Sequence, residues 1–260
     1  MLYDEVNIRE VVDSEAAMEF MKEASKLATS NELDGIGFRL EKKSKLFSEL
    51  LSEDHISDLT EDEFRQLVGS IFSIKRKANR IIKANSFKSL HQSISDLLYG
   101  KDDLEKRFNK FTESIEKLDG PMCVNFASEL LHYSNPKKYW LWTNWIWDSK
   151  TGTGSLPLIV QEGVDLTGQS NGEIYTKVGQ SMALVNAVGH SIGFSGSGKG
   201  LFGTDVFLAC VYAVYMYTVF RVKLSQEFNR ILPELSELTQ RVLGVYKLDR
   251  ITGLQDKTGL

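Results

Sequence analysis

With 260 residues, of which 42% are hydrophobic and 25% charged, the chain has the composition of a folded globular protein, far from the low-hydrophobicity, high-charge range of disorder. Its formal net charge of −4 excludes a surface shaped throughout for a polyanion, because neutralising phosphates takes clustered Lys and Arg; a nucleic-acid role has to rest on a local patch. Only Cys123 and Cys210 are present, with no CxxC pair and no run of Cys and His at zinc-ligand spacing, so neither a disulfide framework nor a structural zinc is expected, and no cofactor is indicated.

The opening residues, MLYDEVNIREVVDSE, carry acids where a signal peptide has a basic stretch and an apolar core, which points to a cytoplasmic chain with reduced thiols. Helical periodicity then begins. With Ser14 as N-cap, Ala17, Phe20, Met21, Ala24, Leu27 and Ala28 recur at the interval of a first helix. Gly35 and Gly37 predict a turn, followed by a short second helix through Leu46, Phe47, Leu50 and Leu51. Thr60 and Glu63 form a capping-box pattern that opens a third helix through Phe64, Leu67, Val68, Ile71 and Phe72 to about Ala84. Asn85 and Ser86 interrupt the phase. A fourth helix carries Phe87, Leu90, Ile94, Leu97 and Leu98 and stops at Gly100, and a fifth carries Leu104, Phe108, Phe111, Ile115 and Leu118 and stops at Gly120. Pro121 then fits the first turn of a sixth helix with the face Cys123, Phe126, Ala127, Leu130 and Leu131.

Past Asn135 the character changes. Twelve of the twenty glycines lie between Asp148 and Gly203, which predicts mostly loop, with a short helix at 178–188 and a short strand at 156–160. Residues 206–220 hold no charge, but fifteen residues of helix span roughly 22 Å against about 30 Å of bilayer hydrocarbon, so a buried helix is expected and no membrane span. Leu235, Leu238, Val242 and Leu243 mark a last helix closed by Gly244, and the polar tail from Ile251 is expected to fray. The fold class is mainly α: a multi-helix array or bundle with a Gly-rich irregular segment and a buried apolar helix in the C-terminal half. Residues 1–133 read as an amphipathic helical array, and 134–260 as an aromatic and Gly-rich segment with two further helices, packed against the first half as one unit.

Four features bear on function. Between Phe64 and Ser95 there is no acid, while Arg65, Lys75, Arg76, Lys77, Arg80, Lys83 and Lys88 supply seven positive charges. They read either as a phosphate-contacting patch or as the basic end of a helix whose start holds Glu61, Asp62 and Glu63, the arrangement a helix dipole favours. All four tryptophans, Trp140, Trp142, Trp145 and Trp147, fall in eight residues beside Tyr133, Tyr139, Lys137 and Lys138. This cluster suits an internal joint between the two halves, a protein interface, or a stacking surface for bases. Gly193 to Lys199, GFSGSGK, has the spacing of a phosphate loop, but Gly200 replaces its Ser or Thr; Gly193, Gly196, Gly198 and Lys199 would make an anion nest or an ordinary loop. Cys123, in the first turn of the sixth helix, is where a thiol's pKa can be lowered, with His132 and His190 the nearest histidines in the second half, while Cys210 reads as an inert packing residue.

The run 126–148, FASELLHYSNPKKYWLWTNWIWD, resembles the helix, Asn-Pro turn and aromatic entry of helix-hairpin-helix DNA glycosylase-like domains over 23 residues. That family's Gly-rich hairpin, LPGVG or near it, is absent, with only Leu156 and Pro157 in common, and no catalytic lysine carries over; Asp148, the last residue of the run, is the position where the resemblance would put a catalytic carboxylate. With no catalytic constellation visible, the reading favoured by the sequence is a cytoplasmic interaction or scaffold protein that meets a protein partner through the aromatic or Gly-rich segment. Its alternatives are a nucleic-acid-binding domain using the patch of Lys75, Arg76, Lys77, Arg80, Lys83 and Lys88 with the Trp cluster, or a phosphate binder at the Gly-rich loop.

Overall fold

In the computed structural model, residues 11–192, 200–223 and 233–252 are described; they hold eleven α-helices and no strand, a mainly α array. Among them no helix is long and apolar enough to cross a membrane.

Helix α1 (Ser14–Leu27) is capped by Asp13, whose carboxylate accepts from the backbone N–H of Glu15 and Ala16, so the cap sits one residue before the expected Ser14. The turn expected at Gly35 does not form. Helix α2 (Ser30–Leu50) runs straight through it, started by a full capping box between Thr29 and Glu32 and held by a buried stripe of Leu33, Ile36, Leu40, Lys43 and Phe47. A mid-helix glycine costs only about 1 kcal/mol relative to Ala, which such a stripe outweighs.

The capping box of Thr60 and Glu63 opens α3 (Glu61–Gly69) as expected, but the helix ends fifteen residues early. Residues 70–77 form turns, and α4 (Ala78–Ala84) follows as a separate segment. Lys75, Arg76 and Lys77 therefore lie in a loop and Arg80 in the first turn of α4, where a helix dipole disfavours it, while Lys83 sits in the last turn of α4 and Lys88 at the start of the next helix. Helix α5 (Phe87–Tyr99), capped by Ser86 and stopped at Gly100, matches its expected bounds. Helix α6 (Leu104–Ser114) ends short of Ile115, and Gly120 is not its stop but the first residue of α7 (Gly120–Ser134), capped by Asp119 with Pro121 in the first turn.

Every residue of α7 from Cys123 to Tyr133 is buried. Helices α2, α5 and α6 pack around it. In the Gly-rich stretch the expected strand is a 3₁₀ turn, Leu156–Leu158, and Val160 makes only a single antiparallel bridge to Val12. The expected short helix is long: α8 (Asn171–Ile192) takes up three buried glycines, Gly172, Gly179 and Gly189. At Gly172 the reason is close approach, since a Cβ there would stand 2.3 Å from the Glu105 carbonyl oxygen of α6. The apolar helix α9 (Gly203–Lys223) forms as expected, packed on α1 and α10 (Leu235–Val242), and α11 (Leu248–Thr252) ends the described chain. The tail beyond Thr252 lies outside the described residues.

Four ionisable side chains meet at the centre. Lys43 of α2 donates to Glu129 of α7 at 2.6 Å and to the Leu243 carbonyl at 2.9 Å, and its ammonium stands 4.0 Å from the Tyr133 ring centre. His132 of α7 faces Asp205 of α9 at 3.1 Å. All four are at least 96% buried. Burial pulls the Lys43 ammonium below the usual lysine range and pushes the Glu129 carboxyl above the usual carboxylate range, against their mutual attraction. Gly244, with φ of +73°, completes the enclosure: a Cβ there would lie 1.9 Å from the Ser70 carbonyl oxygen and 2.9 Å from the Lys43 nitrogen.

Removing one member of such a pair strands the other charge, whereas replacing both leaves none. Lys43→Met is therefore expected to lower stability by about 3 to 5 kcal/mol, and Lys43→Met with Glu129→Leu to recover most of that loss, read from urea melts of the three proteins. A double variant no more stable than Lys43→Met would contradict this.

Candidate functional site

One face of α7 ties down the aromatic segment. The Asn125 side-chain oxygen accepts from the Asn144 N–H at 3.1 Å, the Ser128 hydroxyl oxygen accepts from the Trp142 N–H at 2.6 Å, and His132 Nδ1 donates to the Tyr139 carbonyl at 2.8 Å. These three residues lie near one line along the helix, at i, i+3 and i+7. The segment 139–145 thus runs antiparallel to α7, with its backbone polar groups satisfied by side chains instead of by a sheet. Both His132 nitrogens face oxygens that can accept, an arrangement that favours the imidazolium. Burial opposes that charge, but Asp205 and the Tyr139 carbonyl outweigh it and hold the His132 pKa above the usual histidine range.

The strapping sends most of the aromatic cluster inward. Tyr139, Trp142, Trp145 and Trp147 are buried, and Trp140 is half-buried. Trp142 donates to the Trp147 carbonyl and Trp147 to the Leu166 carbonyl, both near 3 Å, and Trp142 stacks on Phe108. The four indoles are therefore no open platform, and they join the aromatic segment to α6 and to the loop before α8. Trp145 differs. Its ring lies 6.1 Å from that of Tyr212 of α9, it lines a cleft, and its Nε1–H has no hydrogen-bond partner among the described residues.

That cleft, of about 500 Å³, is bounded on one side by Trp145, Tyr212, Tyr215 and Met216 and on another by Asn125 and Asn144. Asp119 and Asp148 contribute carboxylates to its wall. Asp148 also folds the turn that follows it, accepting from the N–H of Lys150 at 2.9 Å. Gly154 lets this turn lie flat against the aromatic segment: its φ is +142°, and a Cβ would stand 2.2 Å from the Ile146 carbonyl oxygen. Besides Trp145 Nε1, the Ser73 hydroxyl and the Asn144 side-chain oxygen at this cleft are buried without a partner. Buried polar atoms rarely stay unpaired, so three at one opening mark a place where polar groups of a ligand fit.

Phe72 and Ser73 belong both to this cleft and to a second recess of about 580 Å³ whose other walls are Lys75, Arg76, Lys77 and Arg80. The two adjoin at these residues of the loop 70–77. None of these four cations has an ion pair among the described residues, whereas Arg65 is matched by Glu61 and Asp62. Burial, and then the like charges of Arg76 and Arg241, keep the Lys75 ammonium below the usual lysine range. Lys83 and Lys88 are exposed but do not line the recess.

Of the remaining sequence candidates, Cys123 is no activated nucleophile: burial and Asp119 push its thiol up to about 11. Burial likewise pushes Cys210 up to about 12, as suits an inert packing residue. Gly193, Gly196, Gly198 and Lys199 lie outside the described residues. No group of His, Cys, Asp and Glu among the described residues is arranged to hold a metal ion. The basic patch and Trp145 were visible in the sequence; the amides of Asn125 and Asn144 and the tyrosines of α9 were not singled out, because their convergence depends on how α7 and α9 cross.

The state of His132 gives a pH test. A folded-state pKa above the unfolded one contributes stability below about pH 6.5 that is lost as pH rises through the folded value, at no more than about 1.4 kcal/mol per pH unit. Thermal melting temperature is therefore expected to fall between about pH 6.5 and 8. In Asp205→Asn burial acts on His132 without its counter-ion, so the fall above about pH 6.5 should disappear and stability should instead rise as pH approaches 6.5 from below; an unchanged fall would refute the assignment.

Comparison of the chain with protein-family models, with curated proteins and with solved structures finds no match.

Proposed function

We propose that the chain binds unpaired nucleic acid, with a base seated in the cleft at Trp145 and Tyr212 and the adjoining phosphates on Lys75, Arg76, Lys77 and Arg80. The observation that carries this reading is that a cation-lined recess adjoins an aromatic, amide-bearing cleft, the two sharing Phe72 and Ser73 as wall residues. Phosphates need clustered unpaired cations, and bases need flat apolar faces with donors and acceptors at their edge. Both are supplied side by side. Phe72, 40% exposed beneath the Lys75 ammonium at 4.8 Å, stands between the two recesses and is available to stack. The unpaired Trp145 N–H and Asn144 oxygen supply a donor and an acceptor at the base edge.

The acids in the wall favour a base over a phosphate in the cleft itself. Asp119 and Asp148 repel an anion but accept hydrogen bonds from the amino and imino groups of a base. A partner protein docked on the aromatic segment is less well supported, because Tyr139, Trp142 and Trp147 are buried and Trp145 opens only to the cleft.

Fluorescence anisotropy with a labelled single-stranded oligonucleotide tests the reading. With four cations each neutralising one phosphate, affinity is expected to drop about 50-fold between roughly 50 and 200 mM salt. Arg76→Glu with Arg80→Glu should weaken binding further and flatten the salt dependence, while Phe72→Ala should weaken it about 5-fold or more with the salt slope unchanged. Binding that ignores both charge reversals, or no binding at low salt, would sink the proposal.

A further inference from the structure

A third recess, between α5, the turn after it and α6, is built around a single arginine. Arg107 of α6 is 9% exposed, and its Nη1 donates to the carbonyls of Leu97 and Leu98, closing the last turn of α5. No carboxylate pairs with it among the described residues. Its Nε–H is buried without an acceptor, and Nη2 makes no hydrogen bond among the described residues. Nε and Nη2 form one edge of the guanidinium, with two parallel N–H groups that match two oxygens of a carboxylate or phosphate. The edge left unused is therefore the one suited to an oxyanion.

The surroundings agree. Arg107 lines a cavity of about 290 Å³ together with Lys101, Lys110, Ser93 and Ser114. The Ser114 hydroxyl donates to the Phe111 carbonyl at 3.0 Å, so its 3.1 Å contact with Ser93 uses the Ser93 proton and ties the two serines to the helices behind them. The two carboxylates in the wall are engaged: Asp102 with Lys110, and Asp96 with the Gln92 side-chain N–H at 2.8 Å. Gly100 fixes the arginine, since a Cβ there would press on its Cδ at 3.1 Å and on the Asp96 carbonyl at 2.4 Å. A nine-tenths-buried cation with no counter-charge is costly, and an anion would offset that cost.

We propose that this recess is a binding site for a small oxyanion, a phosphate or a carboxylate, gripped by the Nε and Nη2 groups of Arg107 with Lys101 at its side. It is separate from the nucleic-acid cleft and shares no lining residue with it. The size admits a free anion or a small substituted one, and leaves no room for a polymer.

The test titrates isotope-labelled full-length protein with sodium phosphate, sodium acetate or sodium chloride at matched ionic strength, and follows the Arg107 Nε–H resonance. Saturable movement with phosphate or acetate, and none with chloride, is expected; the oxyanion that saturates at lower concentration names the class. Arg107→Lys keeps the charge but loses the fork and should weaken binding, followed by thermal shift, about tenfold. Ser114→Asp places a competing carboxylate in the recess and should abolish it in a protein that still folds, while oligonucleotide binding is unaffected. No oxyanion-specific movement, or undiminished binding in Ser114→Asp, would overturn the proposal.

Discussion

The arrangement rests on α7 being surrounded on every side while carrying polar groups on two of its faces. A fully buried helix would ordinarily be apolar throughout. Here Asn125, Ser128 and His132 replace the missing backbone partners of the segment 139–145, and Glu129 meets Lys43 from α2. Unpaired, each of these groups would cost on the order of 1 to 3 kcal/mol or more; paired, they fix the register of everything that touches the helix. The aromatic segment has no sheet and no helix of its own, so its path is set by these three side chains. Through them α7 determines where Trp145 and Asn144 stand.

This explains what was legible in the sequence and what was not. The capping box of Thr60 and Glu63, the break at Asn85 and Ser86 and the apolar run of α9 are local signals: they placed the start of α3, the start of α5 and the body of α9, though not the end of α3. Glycine was the misleading signal. Gly35 and Gly37 sit inside α2, and Gly172, Gly179 and Gly189 inside α8, because a missing side chain serves close helix contact as well as a turn, and only the neighbour tells the two apart. The break after Gly69 was hidden for the opposite reason. Ile71 and Ile74 continue an apolar spacing, both buried, while the backbone between them has already turned.

The site shows the same division. The run of cations without an acid was plain in the sequence, but its meaning changed when α3 ended early: on a continuous helix the charges would have sat at a favourable dipole end, whereas in the loop 70–77 and the start of α4 no such compensation exists. The Trp cluster was equally plain and divided unequally: Trp142 and Trp147 are buried with their N–H groups donated inward, Trp140 is half-buried, and Trp145 is left with an unmet N–H at an opening. Which tryptophan that would be depends on the Asn125–Asn144 contact, a pairing nineteen residues apart that no periodicity announces.

The bond from Lys43 to the Leu243 carbonyl joins positions 200 residues apart. Closing so long a loop carries a large entropy cost and cannot lead the folding of the chain, so the amino-terminal helices have to collapse around an ammonium whose last acceptor arrives only when α10 docks. Until then water must solvate that ammonium through the gap that the Gly244 turn later seals. The carboxy-terminal helices thus act as a plug: late to arrive, small in extent, and decisive for whether the interior is wet or dry.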